Sequence, residues 1–175
     1  MPSVKRQFTT PIHEPMVSEA TIEKVLARFE EDAALFEEAA REFGDQQPEL
    51  LQYLLNVPEG VLTPEEGEYL LYLAIIIWQS VSEAYGQGQL HSGKAIEATE
   101  EKNWELWEAG SGNFNRRLDA FFENTPQEDL LAFVEDALTL DEEDEESNPP
   151  VTKEGAEPMF IALKTLIDLL TNQRS

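Results

Sequence analysis

Gly88-Gln-Leu-His-Ser-Gly93-Lys94 carries the spacing G-x-x-x-x-G-K of a phosphate-binding loop. In such a loop backbone N–H groups wrap the phosphates, the lysine reaches them, and the Ser or Thr that follows binds magnesium. Here Ala95 follows Lys94, so that hydroxyl is missing. The stretch also follows a helical pattern where a phosphate loop needs a buried strand. It reads instead as an interhelical loop, with Ser92 capping the next helix, Lys94 paired with Glu97 or Glu101, and His91 solvated. No nucleotide or other cofactor is expected.

Carboxylates are the other chemistry on offer. Glu-x-x-Glu occurs at Glu97/Glu100 and at Glu105/Glu108. A di-metal bundle needs inward carboxylates on facing helices, with Glu-x-x-His on some of them. Both pairs here lie on one heavily charged helix, and the two histidines, His13 and His91, stand in an arm and a loop. No metal site is expected, and no catalytic residue is assigned. The run Asp141-Glu-Glu-Asp-Glu-Glu146 lacks the Asp-x-Asp-x-Asp-Gly arrangement and distal Glu of a calcium loop. Its six adjacent acids repel one another, and Pro149 and Pro150 forbid helix continuation, so it reads as a linker.

Aromatic anchors are the remaining candidates. Trp104 and Trp107 are three residues apart on one helix, and aromatic side chains anchor interfaces. With Tyr85 they are assigned to a partner-binding groove, and Asp141, Glu142, Glu143 and Asp144 to the acidic surface beside it.

The composition narrows the partner. Acidic residues number 36 (28 Glu and 8 Asp) against 12 Lys and Arg, a net charge of −24. Such a field disfavours nucleic-acid backbones and anionic membranes and favours a basic or amphipathic protein partner. The chain has no cysteine, hence no disulfide framework and no thiolate chemistry, which suits the cytoplasm. The opening residues lack the apolar segment of a secretory signal.

Helices must position all of this. Thr63, Pro64 and Glu66 form a capping-box start, and ten uncharged residues follow from Tyr69 to Trp78. A helix apolar nearly all round lies inside a bundle, and ten residues fall short of the roughly 20 that span a membrane. Ser18 caps a helix over 19–43 with Ile22, Val25, Phe29, Phe36 and Phe43 on one face and Gly44 as its stop. Its outer face should pair Glu37 with Arg41. Pro48 starts a short helix. A peripheral helix runs over 94–109, another over 113–123, and Thr125-Pro126-Gln127-Glu128 opens a sixth with a second capping box. The last spans about 157–171 with Pro158 in its first turn.

The pattern predicts an all-α, single-domain bundle of about seven helices around a buried central helix. Residues 1–16 form an extended arm, 17–140 the bundle, 141–153 the acidic linker, and 154–175 a helix docking on the bundle. The function expected is that of a non-catalytic acidic interaction or adaptor protein, monomeric or weakly dimeric. The alternatives are a nucleic-acid mimic that blocks a DNA- or RNA-binding protein, and an all-α enzyme with a carboxylate site.

Overall fold

Local caps set many of the boundaries in the computed structural model, which describes residues 16–57, 61–140 and 148–172. Among them are eight α-helices and no strand. They are α1 Glu19–Glu31, α2 Ala33–Gln46, α3 Pro48–Asn56, α4 Pro64–Tyr85, α5 Gly93–Ala109, α6 Phe114–Asn124, α7 Glu128–Leu138 and α8 Lys153–Asn172. The chain is an all-α bundle. No helix among the described residues is long and apolar enough to cross a membrane. The N-terminal arm, apart from Met16, lies outside the described residues.

The helix expected over 19–43 is two helices. Asp32 sits between them in extended backbone, φ −145° and ψ 100°, and its N–H donates to the Arg28 carbonyl. Its carboxylate accepts from the Ala34 N–H at 3.0 Å, so one residue ends α1 and caps α2. An Asp side chain competes for backbone N–H groups in this way wherever a helix can restart. The apolar period survives the break because both helices lean on α4, and Phe29 meets Phe36 edge-on at 5.4 Å across it. Gly44 does not end α2. It lies inside the helix, where a Cβ would come within 3.1 Å of Leu51 on α3.

The longest buried runs lie on two helices, where the sequence suggested one. α4 buries an unbroken run from Leu73 to Trp78. α8 is enclosed further: every residue from Met159 to Ile167 is buried, including Lys164 and Thr165. It packs on α4, α5 and α7. It also starts earlier than expected, which leaves Pro158 inside the helix instead of in its first turn. α5 is not peripheral, since it packs along α8, α3 and α6. Counting large apolar residues understates its burial because Asn103 faces α8 as a hydrogen-bonded polar contact.

The second capping box does not form. α7 starts at Glu128 with Gln127 as the cap residue, and Thr125 Oγ1 accepts from the Gln127 N–H at 3.0 Å. The Gln127 side chain is used elsewhere. It accepts from the Val17 N–H at 2.9 Å and donates to the Tyr85 hydroxyl at 3.0 Å, tying the start of α1 and the end of α4 to the start of α7.

Candidate functional site

The bundle carries its charge on the outside. Of the 28 acids among the described residues, 22 are exposed. The ion pairs among the described residues are Arg28–Glu83 and Lys164–Asp168. Glu37 and Arg41 are not paired, and neither is Lys94 with Glu97 or Glu101. The acidic faces are therefore not neutralised from within.

One of these faces is ordered by helix geometry. Glu97, Glu101, Glu105 and Glu108 are all exposed on α5. At 3.6 residues per turn they fall within an arc of about 80°, a stripe whose first two steps each rise about 6 Å and whose last rises about 4.5 Å. Trp104 lies about 20° to the other side of Glu97 on the same helix. It is half-buried, so part of its ring remains beside the stripe. Glu100 points away and accepts from the Tyr53 hydroxyl at 2.8 Å.

The residues assigned to a groove go to different places. Trp107 is 4% exposed, too enclosed to anchor a partner protein. It sits among Phe114, Phe121 and Phe160, with ring centroids 5.8, 6.3 and 5.7 Å away. Tyr85 is half-buried and bonded to Gln127 at the start of α7. Trp104 alone of the three stands next to exposed acids on its own helix. Asp141, Glu142, Glu143 and Asp144 lie outside the described residues.

The glycine-rich loop is anchored from α2. Gln47 at its C-cap accepts from the His91 N–H at 3.2 Å and donates to the Gln89 carbonyl at 2.7 Å. His91 is consequently buried, 4% exposed, and not solvated as expected. Ser92 caps α5 by accepting from the Ala95 N–H at 3.1 Å, as the sequence indicates. Among the described residues no three His, Asp or Glu side chains are grouped to hold a metal ion.

Two polar assemblies have no local signal in the sequence. The first joins α3, α5 and α8. Asn103 donates to Thr165 Oγ1 at 3.1 Å and to Asp168 Oδ2 at 3.2 Å, and Lys164 Nζ reaches Asp168 Oδ1 at 2.6 Å. Burial first, and the Glu100 carboxylate second, push the Tyr53 hydroxyl above the ordinary tyrosine range, so it stays a donor. These groups satisfy one another and fix the register of α8.

The second is built on Glu66. Its Oε1 closes the capping box of α4 by accepting from the Thr63 N–H at 2.9 Å. Its Oε2 accepts from the Thr152 N–H at 2.7 Å and from the Thr152 hydroxyl at 2.9 Å. Thr152 Oγ1 in turn accepts from the Gly155 N–H in the first turn of α8. One carboxylate, 1% exposed, thus holds the starts of both α4 and α8. Burial alone raises its pKa, but the hydrogen bonds from Thr152 and Thr63 outweigh that and hold it below the ordinary 4.5. A depressed folded-state pKa gives stability that is complete above the unfolded value and lost as pH falls through the folded one. Glu66→Gln should therefore destabilise by about 2 kcal/mol at neutral pH, because its NH₂ meets donors where an acceptor is needed. That difference should shrink as urea melts are moved to pH values below about 4. A constant difference down to pH 2.5 would show that the carboxylate is not the origin of the effect.

A cavity of about 890 Å³ lies between the α5–α6 turn, the start of α6, the end of α7 and the start of α8. Arg117 and Lys153 line it beside Trp107 and Phe114. Comparison with models of protein families, with curated proteins and with solved structures finds no match for this chain.

Proposed function

We propose that this chain is a non-catalytic interaction protein that presents the acidic stripe of α5 to a basic protein partner. The observation that carries this reading is the row of four exposed, unpaired glutamates with the half-buried ring of Trp104 at its flank. Carboxylates in a row meet the Lys or Arg of a basic helix or arm, and the ring offers a face to the same cations. The partner gains because no internal cation has to be displaced first. A cytoplasmic, monomeric or weakly dimeric adaptor is part of the same proposal.

The test separates the stripe from the net charge. Glu97, Glu101, Glu105 and Glu108 are changed to Gln in one variant, and Glu30, Glu31, Glu37 and Glu38 in a control of equal charge. Both are used as bait in a native lysate. The partner should be lost with the α5 variant and kept with the control; loss with both would make the interaction a generic charge effect. For the captured partner, association should slow steeply as sodium chloride is raised, because steering is screened. The melting temperature of the free protein should move the other way and rise with salt, as self-repulsion is screened.

A second reading is favoured by the first three carboxylates of the stripe, Glu97, Glu101 and Glu105, which repeat every four residues. Carboxylates about 6 Å apart along an axis form a charged row of the kind nucleic-acid-binding proteins recognise. If the captured partner is displaced from α5 by duplex DNA or RNA, the chain acts as a nucleic-acid mimic.

A further inference from the structure

Among the described residues, the walls of the cavity beside α6 reverse the charge pattern of the rest of the molecule. In a chain of net charge −24, its described walls carry Arg117 and Lys153 against the single carboxylate of Glu157. The guanidinium of Arg117 is held in place. Its Nη1 donates to the Trp107 carbonyl at 2.6 Å and its Nε to the Gly112 carbonyl at 3.3 Å, and it lies 5.5 Å from the Trp107 ring centre. Two of its five N–H groups are used in this way, which leaves three to donate. Gly112, whose carbonyl accepts the Nε bond, has φ +94°, a backbone conformation that favours glycine. Lys153 is exposed and belongs to neither ion pair of the described residues.

Apolar surface sits next to these cations. Trp107 and Phe114 line the cavity with their ring centroids 5.8 Å apart, and Leu138 and Leu140 close the side formed by α7 and the residues after it. The start of α6 also opens here, with its positive dipole end. A volume of about 890 Å³ lies within the range of small-molecule sites, and apolar walls with a few placed polar groups are their usual make-up. A basic partner protein has no use for two cations, so this cavity does not belong to the surface proposed for α5.

We propose that the cavity binds a small organic anion with a flat apolar body, its acid group on Arg117 and Lys153 and its body against Phe114 and the small exposed edge of Trp107. An aromatic carboxylate is the simplest member of that class. Carboxylate recognition by a fixed guanidinium gives direction, and the rings exclude water from the bond.

The probe is 1-naphthoate, titrated into the full-length protein by calorimetry and by tryptophan fluorescence. The titration is run at physiological salt, where surface charges are screened over about 8 Å. Saturable 1:1 binding with quenched emission is expected. Lys153→Glu should weaken it by about tenfold or more without lowering the melting temperature, because that residue is exposed at the first position of a helix, where an acid suits the dipole. Arg117→Lys should weaken it as well, since a lysine keeps the charge but loses the planar fork. The neutral analogue 1-naphthalenemethanol and inorganic phosphate should each bind at least tenfold more weakly, one lacking the charge and the other the apolar body. The proposal falls if the neutral analogue binds as tightly as naphthoate, if phosphate alone does so, if Lys153→Glu binds like the wild type, or if no saturation is reached at millimolar probe.

Discussion

Gly155→Ala is expected to cost about 3–5 kcal/mol, a large loss for adding one methyl group. Alanine is normally the better helix residue by about 1 kcal/mol, so propensity predicts the opposite sign. Packing decides against propensity here. A Cβ on Gly155 would stand 1.9 Å from Glu66 Oε2 and 2.6 Å from its carboxyl carbon. The carboxylate would have to leave, and with it go its hydrogen bonds to Thr63 and Thr152. Urea unfolding of the single and double variants checks the mechanism. In a Glu66→Ala background the clash is gone, and Gly155→Ala should become neutral or mildly stabilising. Additive losses in the double variant would mean that Gly155 matters for some reason other than Glu66.

Phe160→Ala is expected to cost about 4–5 kcal/mol, at the top of the range for removing a buried ring. Phe160 is fully buried and touches three other rings: Phe121 at 4.9 Å, Trp107 at 5.7 Å and Phe114 at 6.0 Å. Through them it joins α8 to α5 and α6. The loss should appear as a lower urea midpoint, together with a red shift in tryptophan emission as water reaches Trp107. Phe122→Ala, at a half-buried neighbour, is the control and should cost much less. The experiment also bears on how the last helix docks. If α8 packs on its own bundle, the midpoint is independent of protein concentration; an exchanged helix would make it rise with concentration. A loss under ~1 kcal/mol would mean that α8 does not pack on these rings at all.

The helix starts at Ser18, Thr63 and Ser92 are legible in the sequence. Each cap bonds a backbone N–H three residues ahead, and the spacing is written in adjacent letters. The apolar run of α4 is legible for the same reason, because burial all round a helix needs no knowledge of the neighbour. The glutamates of α5 are legible as a heavily charged helix, in which Glu97/Glu100 and Glu105/Glu108 stand out as Glu-x-x-Glu pairs. Their role as a stripe depends on which side of α5 the other helices cover, and that side is set by Asn103 and Trp107 facing inward.

What the sequence by itself determined is thus the helical class, most of the caps and the sign of the surface. The tertiary structure decided every feature whose partner lies far along the chain. His91 is buried because Gln47 holds its backbone across 44 residues. The second capping box gives way because Gln127 is drawn to Val17, 110 residues away. α8 begins at Lys153 because Glu66, 86 residues before Thr152, anchors the residue that caps it. Caps and periodicity act over one turn of chain, whereas a buried polar group must be satisfied by whatever the fold brings to it. Only the packed bundle fixes which group that is.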